Sequence, residues 1–275
     1  MCCEHCGLIQ LAHIPSEEQL KNYYHHDYRK DYKGVRTPKP EHVYRAGRAA
    51  QDRLDFLASA GVRCGQLVDV GAGGGEFVYL AEKQGFSAQG LEPSQEYSEY
   101  ARRAYGCQLQ TGLLNQLTGR FDVVTLFHVL EHLPDPLQVF AKLHSALNPR
   151  GCLFIEVPWI ETNDASPHNI YFRAHLYYFS VDTLIAAASN YFDVVQVDTR
   201  CNLRILFVAR NEPRELCLPD ATSVAAIRER LRRKGWLEYL FRGKGLVKPF
   251  RKLAERRHER KARGYEPKEI LNRLG

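Results

Sequence analysis

The chain lacks the features that mark several classes of protein. No stretch approaches the ~20 consecutive apolar residues of a bilayer-spanning helix, so a transmembrane fold is not expected. No apolar signal core follows the polar, cysteine-rich start at Met1, so export is not expected either. Internal repeats and low-complexity tracts are absent, which argues against solenoids and long disordered linkers. Cysteine is present eight times but clusters only at the N-terminus, and the C-x-x-C pair Cys3/Cys6 has no second pair to complete a four-ligand zinc site. Cys64, Cys107, Cys152 and Cys201 fall within or beside predicted strands. They are read as buried thiols, which predicts a reducing, cytoplasmic setting.

Charge of one sign is missing from the whole but not from its parts. The net charge is only +6, yet residues 221–275 hold 17 Lys+Arg against 6 Asp+Glu, and the other 220 residues hold 21 against 26. A mildly acidic body therefore carries a basic tail. Within the tail, Trp236, Leu237, Leu240 and Phe241 recur among Arg and Lys in the pattern of an interfacial helix. That pattern suits an anionic membrane surface; packing on the core or on a second subunit is the alternative. Nucleic acid is not the expected partner.

The most informative segment is Val68-Asp69-Val70-Gly71-Ala72-Gly73-Gly74-Gly75-Glu76-Phe77. A short apolar strand ends on an acid, enters a glycine turn and continues as an amphipathic helix, as in the ligand loop of a doubly wound α/β sheet. A dinucleotide loop would place a third glycine where Glu76 stands. A carboxylate there disfavours a pyrophosphate and tolerates a cofactor with a cationic centre. A second strand, Phe86 to Leu91, leads to Glu92, about 20 residues past the first glycine, where an acid can hold ribose hydroxyls. Ser94 is placed to cap the next helix. A third strand, Phe121 to Phe127, precedes His128-Val129-Leu130-Glu131-His132-Leu133-Pro134-Asp135-Pro136, and a helix and the strand Cys152 to Pro158 follow. Residues 42–60 read as an amphipathic helix with Val43, Ala46, Ala50, Leu54 and Leu57 inward.

The run Asp69-x-Gly71-x-Gly73-x-Gly75 resembles motif I of the class I S-adenosylmethionine-dependent methyltransferases. Residues 121–158 resemble the "hvlEHl.dP" signature of one subgroup, and the resemblance spans residues 42 to 210. It implies an α/β fold with a doubly wound, mostly parallel seven-stranded sheet whose last strand is antiparallel. The implied organisation is a Cys/His/Tyr-rich arm (1–41), a cofactor-binding methyltransferase domain (42–211) and a basic helical extension (212–275). S-adenosylmethionine would be held by Asp69, Gly71, Gly73, Gly75 and Glu92, with Leu113 and Leu114 packing on adenine and His128 forming part of the cofactor wall. His132 and His175 lie after strands on the ligand edge and are the candidate general base or acceptor contacts; for His168 a loop-bracing role is favoured.

The stretch from Cys3 through the Tyr-rich segment (Tyr23, Tyr24, Tyr28, Tyr32) resembles half of a zinc-binding arm in some sugar methyltransferases. Zinc is not expected here, Cys3 and Cys6 being the only weak candidates, and the Tyr-rich segment is expected over the site mouth. Sugar C-methyltransferases carry a Glu-His pair where this chain has Ala174-His175. That departure favours O-methylation, of a nucleotide- or lipid-linked sugar hydroxyl in the first reading. A quinone-type phenol, or a non-catalytic cofactor-binding scaffold, are the alternatives.

Overall fold

The computed structural model describes residues 1–15, 38–172 and 174–274. The sequence-predicted helix at 16–24 and the Tyr-rich segment lie outside the described residues. The chain begins with β1 (Ile9–Gln10) and α1 (Pro40–Ser59). It then alternates through β2 (Gly65–Val70), α2 (Glu76–Lys83), β3 (Phe86–Glu92), α3 (Gln95–Tyr105) and β4 (Gln108–Thr111). The second half holds β5 (Phe121–Phe127), α4 (Pro136–Ser145), β6 (Leu147–Val157), β7 (Tyr177–Tyr178), α5 (Val181–Ala188), β8 (Phe192–Asp198) and β9 (Leu203–Ala209). Four tail helices follow: α6 (Ala221–Arg232), α7 (Trp236–Phe241), α8 (Lys248–Glu259) and α9 (Pro267–Asn272).

Seven strands form one sheet in the order β4-β3-β2-β5-β6-β9-β8. β9 runs antiparallel to both its neighbours and the remaining pairs are parallel. The central strands are buried on both faces, as parallel strands must be. β5 shows this residue by residue: Val123 and Phe127 pack with α1, α2 and α3, while Val124 and Leu126 pack with α4 and α5. Strand order reverses between β2 and β5, which opens a ligand crevice at their carboxyl ends.

Two local features anchor the flanks. Ser94 Oγ accepts the Tyr97 amide at the start of α3, and Gly106 ends that helix in the left-handed conformation, so cap and stop are both in place. Gly47 on α1 lies where a Cβ would meet Leu271 and Leu274 at 2.6 and 2.8 Å. Glycine at this position lets α9 pack directly on α1, burying Ile270 and Leu271.

One sequence expectation is corrected. Cys107 is buried, but Cys64 and Cys201 are exposed, because each lies in the turn before a strand rather than within it. Of the expected tail stripe, Trp236, Leu237 and Phe241 are exposed and Leu240 is half-buried; the Trp236 ring meets His168 edge-to-face with centroids 5.4 Å apart. At the N-terminus, β1 pairs antiparallel with β7 through Ile9–Tyr178 and Gln10–Tyr177, forming a two-stranded sheet apart from the seven-stranded one.

A buried ion network ties α1 to the sheet. Glu156 on β6 accepts two hydrogen bonds from Arg53 of α1 at 3.0 and 2.9 Å, one from Arg204 of β9 at 2.8 Å and one from Asn202 at 2.8 Å. Burial opposes its ionisation, but His128 and Arg53 outweigh it and hold the carboxyl far below the ordinary range. Glu156→Gln leaves Arg53 without its anion and Arg204 with only Asp52 and Asp198, and losing one partner of a buried pair costs about 3–5 kcal/mol. Thermal unfolding of the variant is expected about 10 °C below the parent, by the usual conversion for a chain of this size; an unchanged midpoint would mean the network carries no net stability.

Candidate active site

The glycine loop crosses the carboxyl end of β2. Gly71, Gly73 and Gly75 adopt φ of 77°, 52° and 83°, a region that an L side chain enters at a cost. Gly71 is also required by space, because a Cβ would come within 2.4 Å of Val129 in the loop after β5. Gly73 is different: an added Cβ would meet nothing within 4 Å. The loop therefore presents bare backbone to an open cradle at the switch point, where a ligand can approach.

Glu92 stands beside that cradle. Its Oε2 accepts the Gly73 amide at 2.8 Å and its Oε1 accepts the Ser94 amide at 2.9 Å. The carboxylate is thus fixed in orientation beside Gly73, with lone pairs left for further donors such as ribose hydroxyls. Asp69 lies deeper and is 3% exposed. It accepts the Thr125 hydroxyl at 2.6 Å, bracing β2 against β5, and burial lifts its pKa to about 7. Glu76 is also turned inward: it faces Gly74 and the Tyr105 hydroxyl, and burial raises it to about 7. The charge at position 76 therefore points away from the cradle. Leu113 is exposed and Leu114 half-buried at the turn after β4, on the side where Glu92 pairs with Thr111.

The loop after β5 supplies the second half of the site. His128 has φ 58°, uncommon for a residue with a side chain, and such outliers cluster at functional sites. Its amide donates to the Glu156 carbonyl at 2.8 Å, and its ring lies 3.1 Å from Glu156 Oε1 and 3.5 Å from Glu131 Oε1. Burial works against its charge, but the neighbouring Glu131 and Glu156 carboxylates prevail and lift its pKa to about 9.

His132 and His175 come together, with ring centroids 4.8 Å apart. His132 Nδ1 lies 2.9 Å from the Ala174 carbonyl. A carbonyl only accepts, so the Nδ1 proton donates and Nε2 is the basic nitrogen of the neutral ring. His175 is neutral at working pH: burial lowers it to about 4, against the attraction of Glu131 and with the repulsion of His132 and His128. Its ring is walled by Phe172 and Tyr178, at centroid distances of 5.0 and 5.8 Å. His168 sits apart, against Trp236.

Glu131 was visible in the "EH" signature but was not read as a site residue. It is 1% exposed, neither carboxylate oxygen makes a hydrogen bond among the described residues, and Oε1 lies 3.8 Å from His175 Nε2. The carboxylate missing from position 174 is thus replaced in space by one from another element. Glu131, His132 and His175 each offer a donor atom within 4.8 Å of the others, so they could share a proton or hold a small cation. In the N-terminal turn, the Cys6 and His5 amides lower the Cys3 thiol, while burial raises that of Cys6. These two thiols join no group of three possible metal donors among the described residues.

A doubly wound sheet with a glycine cradle at its switch point and an acid fixed beside it is a Rossmann-like arrangement for holding a nucleoside-bearing ligand. Residues 42–197 match the family described as methyltransferase domain, and the chain belongs to that family. It is similar to the ubiquinone biosynthesis O-methyltransferase of Xanthomonas campestris pv. campestris, 32% identical over 113 residues, covering 38% of this chain and 47% of that protein. The corresponding enzyme of Methylococcus capsulatus is 33% identical over 112 residues, covering 37% and 47%. The chain spans about half the length of the curated relatives it matches. In fold it is similar to magnesium protoporphyrin IX methyltransferase from Synechocystis PCC 6803 with bound S-adenosylhomocysteine: TM-score 0.51, 16% identity, covering 71% of this chain and 100% of that one.

The His128 pKa of about 9 against an ordinary 6.5 gives a signed expectation. The imidazolium stabilises the fold fully below pH 6.5, and this contribution fades as pH rises through about 9. With the ring 37% exposed, screening should hold the effect to about 1–2 kcal/mol. Thermal melts from pH 6 to 10 should show that decline in the parent and lack it in His128→Asn, since asparagine tolerates the positive φ.

Proposed function

We propose that the protein transfers a methyl group to a hydroxyl of a small-molecule acceptor, and that the acceptor is a phenol of the quinone type. The observation that carries the reading is the cluster of His132, His175 and Glu131 at the crevice shared with the glycine loop. The similarity to ubiquinone biosynthesis O-methyltransferases, which runs at about a third identity over part of each chain, favours a phenol over a sugar hydroxyl. S-adenosylmethionine, when bound, supplies a methyl group on a cationic sulfur. Gly73 and Glu92 would hold it, the open backbone of one and the oriented carboxylate of the other fitting that ligand. Asp69 supports the cradle from beneath.

The acceptor hydroxyl must lose its proton as the oxygen attacks, and the His132 Nε2 lone pair receives it. The Ala174 carbonyl fixes the imidazole in the tautomer that makes this possible. His175, kept neutral by burial, orients the hydroxyl by a hydrogen bond. Glu131 offsets the charge that develops on His132, and Phe172 and Tyr178 supply an apolar wall for an aromatic ring. The eight free thiols suit a reducing compartment, and the basic tail suits an enzyme at the inner face of a membrane.

A second reading has its own observation. The buried Glu131 carboxylate makes no hydrogen bond among the described residues and has His128 at 3.5 Å as its charged neighbour; burying it so is costly, and a divalent cation shared with His132 and His175 would offset that cost. Such an ion would acidify the acceptor hydroxyl in place of a base.

With a catechol probe and S-adenosylmethionine, His132→Ala is expected to lower turnover about 100-fold or more with calorimetric cofactor affinity unchanged. Near-normal turnover in both His132→Ala and His175→Ala would refute the base assignment. In the same assay, full activity after dialysis against EDTA supports proton transfer to histidine. Loss restored by Mg²⁺ or Zn²⁺, but not by S-adenosylmethionine alone, transfers the reading to the cation.

A further inference from the structure

The C-terminal extension is fastened at both ends and exposed between them. α6 buries Val224 and Ile227, with Ile227 against Gly7 of the N-terminal turn. α9 buries Ile270 and Leu271 on α1, and the Tyr79 hydroxyl donates to Asn272 at 2.6 Å. Neither α7 nor α8 buries a residue. Leu237, Phe241, Leu246, Val247, Phe250 and Leu253 are instead 57–75% exposed. Leu237 and Phe241 lie one turn apart on α7. Leu246, Phe250 and Leu253 recur at i, i+4 and i+7 leading into α8, so they line one stripe.

Basic residues border the stripe. Arg242, Lys252, Arg256 and Arg257 make no ion pair among the described residues, whereas the acids of α8 are committed: Glu255 to Arg251 and Glu259 to Arg45. The exposed surface thus combines protruding apolar side chains with uncompensated cations.

We infer that the α7–α8 segment is a docking surface for an anionic bilayer. The combination selects that partner. Nucleic acid would use the cations but leave the apolar stripe in water. A second copy would cover the stripe only by bringing two strongly basic tails together. A bilayer interface takes up both, the apolar side chains among acyl chains and the Arg and Lys among anionic headgroups.

The surface also bears on the acceptor side. Arg230 donates to the Glu161 carbonyl at 3.0 Å, Lys244 pairs with Asp164 at 2.8 Å, and Trp236 meets His168 edge-to-face. These contacts brace the segment that runs on to Phe172 and His175. Docking would therefore set the acceptor side of the site at a lipid surface, which deepens the phenol reading by assigning a lipid-borne acceptor; it rests on that reading for this step alone.

The test is sedimentation of the full-length chain with phosphatidylcholine vesicles containing about 30% phosphatidylglycerol, or none. The parent should pellet with the anionic vesicles, less with neutral ones, and less again as salt rises and screening shortens. F241E/F250E and R256E/R257E should each weaken anionic-vesicle binding at least about tenfold. Their melting points and calorimetric S-adenosylmethionine affinity should match the parent, so loss of docking is separate from failure of the methyltransferase reading. Equal pelleting of parent and variants, parent binding that ignores lipid charge, tighter binding to a random RNA than to vesicles, or a solution dimer abolished by F241E/F250E would each overturn the inference.

Discussion

The structure depends on how one buried carboxylate is neutralised. Glu156 lies on the last parallel strand, where water cannot solvate it, and remains ionised only because Arg53, Arg204, Asn202 and His128 converge on it. Each partner comes from a different place: α1, β9, the turn before β9 and the loop after β5. Satisfying one charge therefore positions the N-terminal helix, the antiparallel end of the sheet and the strained His128 together. Arg53 contributes again through its guanidinium, 4.1 Å over the Phe127 ring, so charge and packing bind α1 at the same point.

His128 carries that order into the site. Its left-handed backbone turns the chain sharply at the end of β5, and Val129 then fills the space that Gly71 leaves vacant. Glycine loop and histidine loop are fitted to one another at Gly71 and Val129, three residues before His132. Glu131, buried among His128 and His175, adds negative charge to a group of rings of which one is charged and one held neutral.

The tail shows the same economy at lower stability. Its two ends obtain their hold from a few apolar contacts made possible by small residues, Gly7 for α6 and Gly47 for α9. The middle is held by polar contacts, with Gly243 against Asn163 and Lys244 on Asp164, and keeps its apolar side chains outside. A helix that is polar through most of its circumference and exposed along its length depends on a partner or on its own ends for order.

The central architecture was legible in the sequence because its signals are local. Strand, glycine turn and helix follow from contiguous residues at Leu67 to Ala81, Ser94 announces its own helix, and Phe121 to Phe127 is a short, largely apolar run suited to a strand buried on both faces. The glycine cradle and Glu92 could be read for the same reason, being set by spacing along one βαβ unit. What only the tertiary structure decided were the encounters between distant segments. Ala174 signalled a missing acid, and Glu131 supplied a carboxylate 3.8 Å from His175 across 44 positions of chain. Glu156 is an ordinary strand residue until Arg53 and Arg204 reach it. Cys64 and Cys201 have the surroundings of buried thiols in one dimension and lie on turns in three. Periodicity reports which face of an element is apolar. Which other face meets it, and which charges meet inside, depends on packing between residues whose separation in the chain carries no trace of their contact.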